Sequence, residues 1–146
     1  MTDIALSLVI CTFNRAPFVR RLLLALLAQC APVREVEILV VDNNSRDDTR
    51  QTIASIAAAH PFTRYAFEGA QGLSNARNKG AAEARGTHLL FLDDDALTPD
   101  NFVARMLAVV REFDPDFFGG PIFPIYADRL PRGFPEHLEV RLKAST

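Results

Sequence analysis

Four short blocks recur along the chain with a helix-length stretch between successive members: Leu6 to Thr12, Val36 to Val41, Thr63 to Phe67 and His88 to Leu92. The first and second are almost continuously Leu, Val and Ile, the pattern of strands buried on both faces. Strands of that kind alternating with helices imply a mostly parallel sheet covered on both sides, the doubly wound α/β class. The first helix is expected to be capped by Asn14, with Pro17 in its first turn and Phe18, Leu22, Leu23, Leu26 and Leu27 on its apolar face. Ser45 with Asp48 forms a weak capping box for a second helix through Ile53 and Ile56 to Ala59. Leu73 to Arg85 reads as a third helix despite Gly80, stopped by a left-handed Gly86. Thr98-Pro99-Asp100 opens a fourth helix running to about Phe113, and Phe117 to Phe123 is expected as a fifth strand. Beyond it Pro124, Pro131 and Pro135 interrupt the chain. Residues 1–123 are therefore one α/β domain, and 124–146 a separate segment with a last exposed helix from Glu136 to Lys143.

The length of 146 residues suits a single domain, and 49% hydrophobic with 23% charged residues is the balance of a globular protein. A net charge of -2 leaves no broad basic face, which argues against nucleic acid as a partner. Met1-Thr2-Asp3 lacks the basic start of a signal peptide, and Leu22 to Ala28 is too short to span a bilayer. A cytoplasmic location follows, with peripheral membrane association left open. Cys11 and Cys30 read as buried thiols in a reducing compartment, and no Cys-x-x-Cys spacing or histidine cluster suggests zinc. Phe113, Phe117, Phe118 and Phe123 are expected to pack in the core rather than to stack bases.

Polar residues gather where the blocks end. Thr12 and Asn14 follow the first, Asp42 and Asn44 the second, and Asp93, Asp94 and Asp95 the fourth. In a parallel sheet these ends share one edge, where such folds bind ligands. Asn75-Ala76-Arg77-Asn78 adds a cation. Three carboxylates at one strand end repel each other, and a divalent cation with hard oxygen ligands, Mg2+ or Mn2+, relieves that repulsion. Such an ion can also hold a nucleotide's phosphates. The alternative is that the acids cap a turn before Pro99. Asp42 either meets a ribose or base or bonds to the helix start opened by Ser45. Arg77 either meets the ligand or pairs on the surface with Glu83. Cys11 to Pro17 holds no glycine, which removes both the dinucleotide cradle and the P-loop.

Four segments in order, Leu8 to Arg15, Val40 to Thr49, Gly72 to Gly80 and Phe91 to Asp95, resemble family 2 glycosyltransferases with the GT-A fold. The resemblance covers Ile4 to Phe123. It implies a nucleotide-diphospho-sugar donor, a divalent metal, and transfer to an acceptor hydroxyl with inversion. A UDP-sugar stands ahead of a GDP- or dTDP-sugar. On this resemblance Thr12, Phe13 and Asn14 line the nucleotide pocket, Asp42 bonds the base, Asn44 belongs to the same nucleotide-sugar site, and Arg77 contacts base or diphosphate. Asp93 approaches the ribose and shares the metal with Asp95, Asp94 lies between them in the nucleotide-sugar site, and Gly119-Gly120-Pro121 resembles the strand near sugar and acceptor. The acceptor base has no assigned residue: Asp128, Glu136 and Glu139 are the late acids, and none lies in a family pattern. The chain thus reads as a truncated glycosyltransferase domain whose acceptor region is missing or reduced, with self-association as a consequence. The alternative function is a non-catalytic nucleotide-sugar-binding module.

Overall fold

The computed structural model describes residues 3–30, 33–122 and 125. The chain divides into two compact units, Met1–Asp114 and Pro115–Thr146. The first contains every regular element among the described residues: β1 (Leu6–Thr12), α1 (Ala16–Cys30), β2 (Val36–Asp42), α2 (Thr49–Ala59), β3 (Thr63–Phe67), α3 (Leu73–Glu83), β4 (His88–Asp93) and α4 (Phe102–Phe113). The strands form one parallel sheet in the order β3-β2-β1-β4. The chain steps outward from β1 to β3, and α3 then carries it back across the sheet to β4. Strand order therefore reverses between β1 and β4, as expected of a doubly wound sheet.

Alternation along the central strands sorts the core into two layers. Val9, Leu39, Val41 and Ala66 pack with Ala76 of α3 on one face. Leu6, Leu8 and Ile10 alternate to the other face, and α1, which packs against α2 and α4, buries Leu22, Leu23 and Leu26 completely. Each such leucine contributes roughly 1.5–3 kcal/mol by leaving water. Close helix–sheet contact explains Gly80: a Cβ there would fall far inside contact distance of Val9 Cγ1. Gly86 also serves close approach, but it has no positive φ and is not the expected left-handed stop. A Cβ on it would lie 2.6 Å from the Ser7 amide nitrogen, so the turn into β4 needs a residue with no side chain.

Beneath that turn lies a buried carboxylate that periodicity does not anticipate. Glu37, 3% exposed, accepts from the Ser7 hydroxyl at 2.6 Å, the Arg85 amide at 2.6 Å and the Arg64 guanidinium at 3.0 Å. The Gly86 amide donates to Ser7 Oγ, which ties the start of β4 to β1 and β2.

The helix starts differ from expectation. Asn14 does not cap α1; it adopts φ 52° and its Oδ1 accepts from the Arg46 amide. The first donors of α1 are met from the next loop, with the Arg15 amide on Thr49 Oγ1 and the Ala16 amide on Asp47 Oδ2. The Ser45–Asp48 box does not form either, because Ser45 Oγ accepts from the Asn14 amide while Asp47 accepts from the Thr49 amide. The two loops cap each other. The fourth helix begins at Phe102, later than Thr98-Pro99-Asp100 suggests.

In the second unit, Phe117 to Ile122 carries no strand. Two glycines and Pro121, which lacks a ladder donor, weaken an extended segment there. Phe117 is solvent-exposed instead of buried, as is Phe113 at the end of α4. The expected Glu136–Lys143 helix lies outside the described residues, and the expected division at 123 falls within this second unit.

Candidate functional site

Strand register brings the polar ends together. Thr12 is paired with Asp42 across β1–β2, and Cys11 with Asp93 across β1–β4, so Thr12 neighbours Asp94 at the point where strand order reverses. The Thr12 hydroxyl donates to Asp94 Oδ2 at 2.7 Å, and both residues are buried. Arg15 Nη1 reaches Asp94 Oδ1 at 2.8 Å and Asp95 Oδ2 at 2.9 Å. Arg21 donates to the Asp95 carbonyl at 3.0 Å, and Arg77 lies 3.7 Å from Asp93. Arg15 and Arg21 both rest on the Phe18 ring, at 4.9 and 5.7 Å. Phe18 is therefore an exposed platform for cations and not part of α1's buried face. Glu83 is paired with Lys79, which leaves Asp93 as the partner of Arg77.

The carboxylates are not equivalent. Asp94 is buried and bonded on both oxygens, whereas the side chains of Asp93 and Asp95 are 73% and 48% exposed. Repulsion among the three acids, expected to call for a metal, is met in this structure by arginines. Among the described residues no three acidic, histidine or cysteine side chains converge closely enough to enclose a metal. Asp93 and Asp95 nonetheless offer accessible hard oxygens. Magnesium-type sites usually take one or two carboxylates and complete the shell with water and substrate phosphate, so this donor set fits such an ion.

Beside the acids lies a hollow of about 450 Å³ lined by Cys11, Thr12, Phe13, Asn43, Gly72, Leu73 and neighbours. That volume falls within the range of small-ligand sites. Burial pushes the Cys11 thiol up to about 11, so the wall is neutral there. The rim depends on Asn43, which donates to the Glu68 and Ala70 carbonyls and accepts from the Gly72 amide. Gly72 itself has φ 138°, a conformation that only glycine adopts easily.

Of the expected site residues, Thr12, Asp93, Asp94, Asp95 and Arg77 cluster at the strand reversal, and Phe13 lines the hollow. Asn14 faces the Ser45–Arg46 turn, and Asn44, at φ 65°, directs its amide to the Gly69 carbonyl at 3.4 Å. Asp42 is 1% exposed; its Oδ1 accepts from the Ser45 amide and its Oδ2 from the Tyr65 hydroxyl at 3.0 Å. The amide bonded to Asp42 lies in the loop before α2 and not at a helix start, since α2 begins at Thr49, and contact with a base would require exchanging one of these bonds. Burial and the bond to Asp42 push the Tyr65 hydroxyl up to about 12. Gly119 and Gly120 have no described group within 4 Å of where a Cβ would stand, so close approach does not explain them here. Arg15 and Asn43 were not among the expected residues, although Arg15, Phe18 and Arg21 recur at intervals of three.

Comparison with known proteins identifies the family. The family model described as glycosyl transferase family 2 matches residues 7–144. Glycosyltransferase AglE of Haloferax volcanii is 30% identical over 117 residues, covering 80% of this chain and 38% of AglE. Validoxylamine A glucosyltransferase of Streptomyces hygroscopicus is 35% identical over 105 residues, covering 70% of this chain and 25% of that protein. Among solved structures, Staphylococcus aureus TarS 1-349 in complex with UDP-GlcNAc aligns with a TM-score of 0.68 and 26% identity, over 76% of this chain and 32% of that one. Mannosyltransferase PcManGT of Pyrobaculum calidifontis, in complex with GDP-Man and Mn2+, aligns at 0.67 with 25% identity, over 75% of this chain and 33% of that one. The chain thus spans well under half the length of these relatives. A match over nearly the whole chain, alongside the parallel sheet and its acid-tipped reversal point, makes it a member of glycosyl transferase family 2.

Proposed function

We propose that this chain supplies the donor site of an inverting glycosyltransferase. It binds a nucleotide-diphospho-sugar at the carboxyl edge of the sheet, and the sugar passes to an acceptor hydroxyl. The observation that carries this reading is the convergence of Thr12, Asp93, Asp94, Asp95, Arg15 and Arg77 beside an open hollow where strand order reverses. The hollow, bounded by Thr12 and Phe13, takes the nucleoside, with Asn14, Asp42 and Asn44 shaping its surroundings. Asp93 turns toward the ribose and Arg77 toward the diphosphate. Asp95, with Asp93, would hold Mg2+ or Mn2+. When bound, the metal supplies positive charge against the diphosphate leaving group.

Thr12 and Arg15 orient Asp94, and through it the chain on which Asp93 and Asp95 stand. The complexes of TarS with UDP-GlcNAc and of PcManGT with GDP-Man support a nucleotide-sugar donor. A UDP-sugar is placed first, a GDP- or dTDP-sugar next. Inversion requires a carboxylate to accept the acceptor's proton; Asp128, Glu136 and Glu139 lie outside the described residues, and the base is assigned to none of them. Residues 1–123 form the donor part of this reading and 124–146 begin the acceptor region. A cytoplasmic setting belongs to the same proposal and draws on the free thiols of Cys11 and Cys30.

Calorimetric titration with UDP, GDP and dTDP, with Mn2+ or with chelator, tests the donor reading and identifies the base. Asp95→Ala is expected to keep the fold and abolish the metal-dependent part of binding. Equal binding by both proteins, indifferent to chelator, would sink the metal assignment. Donor binding with neither transfer nor hydrolysis would instead favour a non-catalytic nucleotide-sugar-binding module.

A further inference from the structure

Three guanidiniums surround the acid-tipped end of β4. Arg15 Nη1 bridges Asp94 and Asp95, Arg21 holds the Asp95 carbonyl, and Arg77 stands by Asp93. Arg15 and Arg21 are steadied over one aromatic ring, Phe18. The carboxylates are therefore paired with Arg15 and Arg77, with Arg21 at the adjoining backbone, and this positive charge weakens the attraction a bare dication meets. A metal ion seeking Asp95 also finds its Oδ2 engaged at 2.9 Å by Arg15. A diphosphate changes this balance, because it brings negative charge that both an incoming metal and a displaced guanidinium can satisfy.

We propose that Arg15 is the resting counter-cation of Asp95, and that its grip makes metal binding depend on the nucleotide. In the empty site Arg15 occupies the carboxylate and suppresses binding of a free divalent ion. With a nucleoside diphosphate present, Arg15 releases Asp95 while keeping Asp94, whose other oxygen stays on Thr12. Metal and nucleotide then bind with positive coupling, each favouring the other to the same degree. Arg15 is thus a positioning residue that acts through Asp95. The inference rests on the donor-site reading, specifically on Asp95 as a metal ligand.

Mn2+ binding is measured directly, by the loss of the free-ion electron paramagnetic resonance signal, with and without UDP and GDP. The proteins are wild type, Arg15→Gln, Arg15→Lys, Asp95→Asn and the Arg15→Gln/Asp95→Asn double variant, each checked for folding by circular dichroism. Because the Arg15–Asp95 pair is partly exposed, its weight is modest. Arg15→Gln is expected to bind Mn2+ without nucleotide roughly two- to fivefold more tightly than wild type, with a correspondingly smaller gain on adding nucleotide. Arg15→Lys, which keeps the charge, should remain closer to wild type. In the Arg15→Gln/Asp95→Asn double variant the gain should vanish. If Arg15→Gln binds free Mn2+ no more tightly than wild type while Asp95→Asn still weakens binding with nucleotide, the counter-cation role is overturned and the donor reading survives. If Asp95→Asn changes nothing with either nucleotide, the metal assignment itself falls, and this inference with it.

Discussion

Glu37→Gln tests whether a buried carboxylate fastens β4 to the sheet. The acid accepts three hydrogen bonds: two at Oε1, from the Ser7 hydroxyl and the Arg85 amide, and one at Oε2, from Arg64. An amide can keep the first two through its oxygen, but its nitrogen then faces Arg64 across 3.0 Å, donor against donor. Arg64 retains the Glu83 carbonyl at 2.9 Å and can turn its free end to water, being about a quarter exposed. The loss is then one charge-assisted bond, about 1.5–3 kcal/mol, plus part of the cost of an unmet buried donor, about 1–3 kcal/mol. Relief through solvent brings the expected destabilisation to roughly 2–4 kcal/mol. For a chain of this size that lowers Tm by roughly 5–15 °C.

Urea unfolding followed by circular dichroism at neutral pH measures the difference, and repeating it in acid supplies the stronger check. Burial pushes the Glu37 carboxyl up, but the hydrogen bonds from Ser7, Arg85 and Arg64 outweigh it and leave its pKa below the ordinary 4.5. A carboxylate depressed on folding contributes stability that is complete above its unfolded pKa. That contribution disappears as pH falls through the folded value. The gap between wild type and Glu37→Gln should therefore be constant above about pH 5 and narrow in stronger acid. A variant within about 0.5 kcal/mol of wild type at neutral pH, or a gap that does not narrow, would refute the reasoning. Nucleotide affinity of the folded variant should not change, since Glu37 lies at the opposite end of the strands from Asp93.

Gly80→Ala places a methyl group against Val9 Cγ1 and should cost about 1–3 kcal/mol. Adding Val9→Ala should recover part of the loss in the same unfolding assay, and no recovery would mean that the helix–sheet contact is not the cause. Asp42→Asn removes the negative acceptor of the Tyr65 hydroxyl, so the phenol, now pushed up to about 12, should titrate closer to 10. Ultraviolet titration in a Tyr126→Phe background reads this, and an unmoved Tyr65 would show that burial alone raises it.

The strands were legible because their signal is collective. A buried strand in a parallel sheet must be apolar over most of its length, and β1 and β2 satisfy that at almost every position. Helix starts rest on single bonds and were misread. Asn14, Ser45 and Asp48 all have capping chemistry, but the residues that meet the first amides of α1 are Asp47 and Thr49, more than thirty positions away. Local motifs cannot reveal a cap exchanged between two loops that only the sheet brings together. Gly86 shows the same limit: glycine suits a left-handed stop and a close approach equally, and only the nearby Ser7 backbone decides between them.

The site was legible for a geometric reason and incomplete for an electrostatic one. Parallel strands deliver their carboxyl ends to one edge, so residues following each strand converge whatever their identity, and Thr12, Asp42 and Asp93 to Asp95 could be placed together from strand order alone. How their charges are balanced is a different matter, because it depends on side chains arriving from a helix. Three acids suggested that a metal was needed to relieve repulsion. In this structure Arg15 and Arg77 pair with the acids, and Arg21 meets the adjoining backbone. The spacing of Arg15, Phe18 and Arg21 was available as a signal, since residues three apart near a helix start lie on one face. It was absorbed into the apolar pattern because Phe18 fits that pattern too. The proposed metal at Asp95 would meet the Arg15 pairing first, so its binding is expected to depend on the ligand whose phosphates it would share.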